Sequence, residues 1–131
     1  MLLVKTSVLY SPIHGLGCFA DQDIKKGELV WKFDPKIDLT YTEEQVQEMP
    51  EAVREFLKMY SYGESRGGKK IYVLCGDHAR HMNHSESPNL LEGYRDGEST
   101  NIAGRDIKKG EELTCNYLEF DADAKVKLGP H

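Results

Sequence analysis

The chain has 131 residues and a mass of 14.9 kDa, which suits one domain that buries roughly two thirds of the surface of its unfolded chain. Its 17 Lys and Arg residues and 22 Asp and Glu residues give a formal net charge of −5. This charge argues against binding nucleic acid through the phosphates and suits a basic partner. No stretch approaches the roughly 18 apolar residues of a membrane-spanning helix, so we expect no membrane span.

The cysteines indicate a reducing environment. Cys18, Cys75 and Cys115 are odd in number, lie far apart and form no CxxC pair. This pattern predicts neither a disulfide framework nor a structural zinc site. We therefore expect a location inside a cell, where thiols stay reduced.

The N-terminal segment predicts two strands joined by a tight turn. Residues 2–10 contain β-prone side chains, and Ser11-Pro12 ends the strand. His14-Gly15-Leu16-Gly17 is typical of a tight turn, and residues 18–20 continue as a short strand. A single Gly-x-Gly without a following helix does not indicate dinucleotide binding.

One short sequence occurs twice. Asp23–Glu28 reads DIKKGE, and the same letters recur at Asp106–Glu111. Each copy contains a turn whose glycine can adopt a positive φ, and each leads into a β-prone segment, residues 29–33 and 113–117. We expect two similar strand-turn-strand corners. The sequence leaves open whether one favourable turn is used twice or the segment was duplicated.

Residues 42–60 are the predicted helical insert. Thr42 followed by Gln45 resembles a capping box, and Pro50 divides the insert near the first turn of a second helix. Gly63 is expected to end that helix. The second helix has one apolar face, which consists of Val53, Phe56, Leu57 and Tyr60.

The rest of the chain predicts short strands. Residues 71–75 are a candidate buried strand that follows an exposed loop at Gly67-Gly68, and the sequence from residue 90 onward is β-like. Residues 121–131 are expected to be only partly ordered. The predicted fold is therefore mainly β, as a single domain over residues 1–131 without the βαβ repeats of a doubly wound sheet.

The histidine-rich segment over residues 77–85 admits three chemical interpretations. His78, His81 and His84 recur every third residue, so on a helix they drift around the surface, and no carboxylate completes a metal site. A nucleophile at Ser85 or at a cysteine lacks a supporting motif. The third interpretation is a turn-rich wall of a binding site. For the segment alone, an ordinary capped turn is the alternative.

Three motifs together point to a family. They are Gly15-Leu16-Gly17, the segment ARHMNHSESPN at residues 79–89, and GEELTCNY at Gly110–Tyr117. In residue type, order and spacing they resemble the SET domain, the fold of many protein-lysine methyltransferases, over about residues 5–120. The resemblance implies a β-clip of small curved sheets, with a helical insert at about 42–60 and a C-terminal pseudoknot.

The resemblance also implies S-adenosylmethionine as cofactor and assigns residues to the site. Tyr117 is the expected catalytic residue and, with Cys115, lines the expected substrate channel. Further channel walls are expected among the tyrosines Tyr60, Tyr62, Tyr72 and Tyr94. The expected cofactor-binding residues are Gly15, Leu16, Gly17, Arg80, Asn83, His84, Tyr117 and Phe120.

The chain departs from the pattern of many family members. Residues 121–131 contain no cysteine, so we expect none of the zinc that a Cys-rich tail binds in many histone enzymes, and no other metal. His81 stands where the family often has Phe. Cys115 stands where many members carry a Phe or Tyr that limits the methylation state. Its smaller side chain leaves space for di- or trimethyl-lysine unless a neighbouring tyrosine fills that space, and the sequence leaves both alternatives open.

The implied activity is transfer of a methyl group from S-adenosylmethionine to the side-chain amine of a lysine in a basic protein or peptide, histone-like or other. The alternative is a non-catalytic SET-like module that binds peptides. We expect a cytoplasmic location, or a nuclear one in a eukaryote, and no direct contact with nucleic acid. A homodimer is compatible with so small a catalytic domain, which has little surface for a peptide groove.

Overall fold

A computed structural model describes residues 1–116 and is mainly β. Tyr117, Phe120 and the tail over residues 121–131 lie outside the described residues. The helices of the described part are α1 (Glu43–Gln47), α2 (Glu51–Tyr60) and a 3₁₀ helix (His78–His81). Its strands are β1 (Thr6–Tyr10), β2 (Leu16–Ala20), β3 (Leu29–Lys32), β4 (Leu39–Thr42), β5 (Ser61–Arg66), β6 (Lys69–Leu74), β7 (Asn83–His84), β8 (Leu90–Arg95), β9 (Glu98–Ala103) and β10 (Thr114–Cys115).

The strands form several small sheets. Within residues 1–116, β1 pairs with β2, two three-stranded sheets have the orders β3-β9-β8 and β4-β6-β5, and β7 lies parallel to β10. The hairpins β5-β6 and β8-β9 have two-residue turns in which both residues have positive φ, namely Gly67, Gly68, Asp96 and Gly97. The expected mainly β fold of small sheets is confirmed. The parallel pair brings the last described strand beside the middle motif, and the remainder of the predicted pseudoknot lies outside the described residues.

The two copies of the repeated sequence pair with each other. The N–H of Ile24 donates to the carbonyl of Ile107, and the reverse bond also forms, both at 2.8 Å. Each opening aspartate also accepts a bond from the N–H of the second lysine in the other copy. These bonds run from Lys26 to Asp106 at 2.8 Å and from Lys109 to Asp23 at 2.9 Å. Because the contacts are reciprocal, an approximate local two-fold axis relates the two corners.

The pairing continues along β2. The N–H of Gly110 donates to the carbonyl of Ala20, the N–H of Ala20 donates to the carbonyl of Glu111, and the N–H of Leu113 donates to the carbonyl of Cys18, each at 2.8 Å. Residues 110–113, the first part of the late motif GEELTCNY, therefore lie alongside β2, which contains Leu16 and Gly17 of the early motif Gly15-Leu16-Gly17. The main hydrophobic core surrounds this pairing and includes Cys18, Ile24, Val30, Leu90, Ile107 and Leu113.

The helical insert has the predicted division into two helices. Thr42 Oγ1 accepts a bond from the N–H of Gln45 at 3.1 Å, and Gln45 Oε1 accepts one from the N–H of Thr42 at 2.9 Å, which confirms the capping box. Pro50 immediately precedes α2. No helix of residues 1–116 is both long and apolar enough to cross a membrane.

Two predicted element boundaries are wrong. Gly63 does not end α2, because the helix stops three residues earlier and Gly63 lies inside β5. The strand predicted over residues 2–10 begins only at β1, because Leu2 makes an isolated bridge to Trp31 instead of pairing with β2. Local β propensity identifies the strand but not the point at which the chain changes its pairing partner.

The predicted apolar face of α2 is only partly buried. Leu57 is 3% exposed, whereas Val53 and Phe56 are 41% and 40% exposed. The ring of Phe56 contacts the ring of Tyr60 at 4.9 Å between centroids and lies 5.7 Å from the guanidinium of Arg80. The helix therefore buries Leu57 and leaves Val53 and Phe56 at the surface.

A close backbone contact fixes the position of Gly76. A Cβ at this residue would overlap the carbonyl oxygen of Ile37. The N–H of Gly76 also donates to the buried carboxylate of Asp38 at 3.2 Å, which accepts further bonds from the N–H of Asp34 at 3.0 Å and from the amino group of Met1 at 2.7 Å. The segment before the 3₁₀ helix is thereby held against the loop before β4.

We expect Gly76→Ala to lower the free energy of unfolding by about 1–3 kcal/mol, the usual cost of overpacking. The matched control is Gly93→Ala, whose new Cβ would lie 3.3 Å from Thr100 Oγ1, a side-chain atom that can move. Urea unfolding followed by circular dichroism compares the two. A Gly76→Ala protein as stable as the wild type would contradict this packing.

Candidate functional site

Asn83 joins the three sequence motifs. Its Nδ2 donates to the carbonyl oxygens of His14 and Leu16, each at 3.1 Å, and to Glu112 Oε2 at 2.9 Å. Asn83 is 8% exposed, so these protein acceptors replace the water that its amide would otherwise bind. The middle motif, residues 79–89, therefore holds the loop over residues 11–16, called here the early loop, next to Glu112 of the late motif.

Asn89 makes the second link between the middle and late motifs. Its Nδ2 donates to the carbonyl of Glu112 at 2.8 Å, and its Oδ1 accepts a bond from the N–H of Thr114 at 2.8 Å. Asn89 is 2% exposed, and the parallel pairing of β7 with β10 runs beside these bonds. One buried amide thus fixes the position of the chain that leads towards Tyr117.

The early loop is closed on itself. The N–H of Ser11 donates to the carbonyl of Gly15 at 2.7 Å, and Ser11 Oγ accepts a bond from the N–H of Ile13 at 3.0 Å. Gly15 has φ of 48°, which favours glycine, and open space surrounds the position of its absent Cβ. The loop therefore presents backbone, rather than side chain, at this point of the surface.

A cavity of about 470 Å³, called here the large cavity, opens against this loop. Of the predicted cofactor-binding residues it brings together Gly15, Leu16, Arg80, Asn83 and His84, all on its walls. Gly17 is not on the described wall of this cavity. Tyr117 and Phe120, the remaining members of the predicted set, lie outside the described residues.

A narrower cavity of about 60 Å³, called here the small cavity, adjoins the large one. The two cavities share Met59, Tyr60, Arg80 and Met82 as wall residues. Cys115, predicted for the substrate channel, lines the small cavity and is 4% exposed.

The structure separates the four tyrosines that the sequence could not rank. Tyr60 and Tyr62 line the small cavity, and the indole of Trp31 packs edge-on against Tyr62 at 6.4 Å. Tyr94 is 73% exposed, and Tyr72 lies under the ammonium of Lys70 at 4.8 Å. Tyr60 and Tyr62 are therefore the described tyrosines placed to serve as channel walls.

Arg80 lies on the walls of both cavities and is hydrogen-bonded to the backbone just after β6. It lies in the 3₁₀ helix, and its Nε donates to the carbonyl of Cys75 at 3.0 Å. Beside it, the ring of His81 makes an edge contact with Tyr60 at 5.6 Å. The 3₁₀ helix and the end of α2 thus form one wall.

Burial disfavours the charged forms of two polar groups of the small cavity, Tyr62 and Cys75. It raises the pKa of the Tyr62 hydroxyl above its usual range, and it raises the pKa of the Cys75 thiol to about 12. The charged side chains on the described wall are Arg80 and Glu92. A thiol with this pKa is a poor nucleophile at neutral pH, which agrees with the absence of a nucleophile motif in the sequence.

The three histidines of the middle segment have separate surroundings. His78 Nδ1 lies 2.9 Å from Thr6 Oγ1, His81 packs on Tyr60, and His84 lines the large cavity. Among residues 1–116, no group of three His, Cys, Asp or Glu side chains is arranged to hold a metal ion. Residues 80–84 of the segment line the large cavity, and whether that wall binds a ligand stays a prediction.

Glu112 was missed by the sequence interpretation. It accepts bonds from the Ser11 hydroxyl and from Asn83, so it contacts the early loop and the middle motif at once. A signal was present, because the repeated sequence differs at this point. In the first copy Glu28 is followed directly by Leu29, whereas in the second copy an additional glutamate, Glu112, precedes the corresponding leucine.

Comparison with known proteins identifies the family. The SET domain family matches residues 15–118, and the chain belongs to this family. The histone-lysine N-methyltransferase trr of Drosophila melanogaster is 32% identical over 117 residues, which are 86% of this chain and 5% of that protein. The variant-silencing SET domain-containing protein of Plasmodium falciparum (isolate 3D7) is 33% identical over 113 residues, 79% of this chain and 4% of that protein. The chain therefore spans about a twentieth of the length of these relatives.

Solved structures share the fold. Chaetomium thermophilum Polycomb Repressive Complex 2 bound to GSK126 gives a TM-score of 0.71 at 25% identity, and the match covers 95% of this chain and 17% of that chain. A structure described as ctPRC2 in an autoinhibited conformation bound to S-adenosylmethionine gives a TM-score of 0.69 at 24% identity, with coverage of 95% and 16%. The SET-type fold expected from the motifs is confirmed.

His81 makes stability depend on pH. Burial, followed by the charges of Arg80 and His78, lowers the pKa of His81 from the usual 6.5. Below pH 6.5, His81 is therefore protonated in the unfolded chain to a greater extent than in the folded protein. Stability should therefore fall as the pH drops from 6.5 through the lower pKa of the folded state. His81→Phe keeps a ring against Tyr60 and should reduce this loss.

Thermal unfolding midpoints between pH 5 and 8, measured on both proteins, test this expectation. The other titrating groups are common to both proteins, so the difference between the two curves isolates His81. Parallel curves for His81→Phe and wild type would show that His81 titrates normally.

Proposed function

We propose that this protein transfers a methyl group from S-adenosylmethionine to the side-chain amine of a lysine in a basic protein. The observation that carries the proposal is the junction of the two cavities at Tyr60, Arg80 and Met82. A cavity for a small molecule thereby adjoins a smaller, mostly apolar one. Family membership supports the same reaction, since the related trr protein is a histone-lysine N-methyltransferase and a structural neighbour binds S-adenosylmethionine.

The residues of the large cavity fit this cofactor. Its volume of about 470 Å³ falls in the usual range of small-molecule sites, about 300–1,000 Å³. The wall combines the open backbone at Gly15, apolar surface from Leu16 and Met59, and the polar side chains of Arg80 and His84. These groups suit a ligand with polar and apolar parts, and Arg80 could pair with a carboxylate. When bound, the cofactor supplies a methyl group on a cationic sulfur.

The small cavity suits a lysine side chain that must lose its charge. A free lysine has a pKa of about 10.4, so only about one in 2,500 is neutral at pH 7. Walls formed by Trp31, Met82 and Cys115 disfavour the ammonium form, because desolvation costs a charged group more than a neutral one. The hydroxyl of Tyr62, kept protonated by burial, offers polarity without adding a charge.

Tyr117 is proposed to orient the reacting amine. It follows Cys115 by two positions, and Cys115 lies on the wall of the small cavity. A tyrosine hydroxyl oxygen that accepts a hydrogen bond from an N–H of the amine would leave the nitrogen lone pair free and aim it at the methyl group, which is the main requirement of a direct displacement. The small side chain of Cys115 leaves room for an amine that already carries methyl groups.

The proposed substrate is a basic segment of another protein. The net charge of −5 favours such a segment over an acidic one. Calorimetric titration with S-adenosylmethionine, followed by methyl transfer from labelled cofactor to a basic peptide, tests the proposal. Binding of peptide without binding of cofactor would instead favour a non-catalytic binding module.

Asn83→Ala should weaken the binding of S-adenosylmethionine by roughly ten- to a hundredfold, because the loop carbonyls of His14 and Leu16 lose their shared donor. The matched control is Gln45→Ala. It removes the hydrogen bond that the Gln45 side chain accepts from the N–H of Thr42 in the helical insert, away from both cavities. Calorimetry on both variants measures the effect. Wild-type affinity in Asn83→Ala would mean that Asn83 does not organise the cofactor site.

Tyr117→Phe removes only the hydroxyl that is proposed to orient the amine. Turnover should fall by about 10²–10⁴, the usual contribution of such a positioned group, while cofactor affinity changes little. The rate in the wild type should also rise from about pH 7 towards 9, because the amine must lose a proton. Single-turnover methyl transfer at several pH values measures both effects. Near-wild-type turnover in Tyr117→Phe would assign the orienting role elsewhere.

A further inference from the structure

We infer that Glu112 is a positioning residue for the cofactor, and that residue 17 is a glycine in order to admit the Glu112 carboxylate rather than to contact the cofactor. The inference rests on the proposed function, since it names the group that shapes the binding loop of the same site. Glu112 acts through Ser11 and Asn83.

The carboxylate of Glu112 lies beneath the early loop and is partly buried. The hydroxyl of Ser11 lies 2.8 Å from both of its oxygens, and Nδ2 of Asn83 donates to Oε2 at 2.9 Å. Glu112 is therefore the group that connects the two side chains which hold the loop.

Each of these two side chains holds backbone groups of the loop. Ser11 Oγ accepts a bond from the N–H of Ile13 at 3.0 Å, and Asn83 Nδ2 donates to the carbonyls of His14 and Leu16. Residues of the same loop form the wall of the large cavity. The shape of that wall therefore depends in part on two side chains that both bond to one carboxylate.

The chemistry of the contacts requires an acceptor at this position. Because Ser11 Oγ already accepts from the backbone, its hydrogen is directed to Glu112, and the amide nitrogen of Asn83 can only donate. A carboxylate accepts from both neighbours, and its charge makes both bonds stronger. An amide in its place would replace one acceptor atom by a donor and remove the charge.

Gly17 gives the carboxylate its space. A Cβ at Gly17 would overlap Glu112 Oε2 and lie 2.9 Å from Glu112 Cδ, with the ring of Phe19 at 3.1 Å. Gly17 is buried and is not on the described wall of the large cavity. A methyl group here would displace the carboxylate from Ser11 and Asn83. The glycine of the early motif thus acts on the cofactor through Glu112.

The first experiment compares Glu112→Gln with Glu111→Gln in the full chain. The second variant is the matched control, since it removes the same charge from the neighbouring residue, whose side chain is 40% exposed and lies beside Arg105. Calorimetry should give a dissociation constant for S-adenosylmethionine about tenfold higher in Glu112→Gln and unchanged in Glu111→Gln. With saturating cofactor, kcat and the KM for the peptide should stay within about twofold of wild type, because the small cavity is unaffected.

The second experiment is a double-mutant cycle with Gly17→Ala. Alone, Gly17→Ala should weaken cofactor binding about as much as Glu112→Gln. In a Glu112→Ala background it should add less than about twofold, because the carboxylate it would displace is gone. A full additional loss in that background would mean that Gly17 itself contacts the cofactor, and would overturn this part of the inference.

Thermal unfolding separates positioning from folding. Ser11→Ala removes one donor to Glu112 at the surface and serves as a second variant if a Glu112 variant does not fold. It should also raise the dissociation constant for the cofactor. A lower melting temperature with unchanged cofactor affinity, in either variant, would show a purely structural role and overturn the inference. Failure of the wild type to bind S-adenosylmethionine would instead refute the proposed function itself.

Discussion

The pairing of the two DIKKGE segments is the constraint on which the site depends. Ile24 and Ile107 exchange backbone bonds, and each is 1% exposed, so the two corners share one core. From this pairing the late motif runs along β2, which places Glu112 under the early loop. The wall of the large cavity, the buried amides and the small cavity are all assembled around segments that this pairing brings together.

Local signals predicted the elements that depend on neighbouring residues. The capping box at Thr42, the division at Pro50 and the glycine turn at Gly67-Gly68 each involve a few consecutive residues. Their physical causes are steric limits and short-range hydrogen bonds, which depend only on the types of a few consecutive residues. The order of the family motifs predicted the fold. Residues of the early and middle motifs also form most of the described wall of the large cavity.

Long-range contacts could not be predicted in the same way. Nothing local distinguishes Tyr62 from Tyr94, and only the packing of Trp31 and Cys115 around the small cavity does so. Periodicity identified the apolar face of α2 but not how much of it is buried, since Leu57 is 3% exposed and Phe56 is 40% exposed. The repeated sequence was visible, but its pairing with itself was not, because periodicity carries no information about partners in space.

The contact between Ser11 and Glu112 spans 101 positions of the chain. Closing so long a loop adds little to the thermodynamic cost, since each doubling of length costs only about 0.6 kcal/mol. Its effect is on kinetics, because structures dominated by distant contacts fold slowly. During synthesis, the first corner must wait for a partner that is made more than eighty residues later. The early loop should therefore acquire its final shape only after residue 112 has left the ribosome.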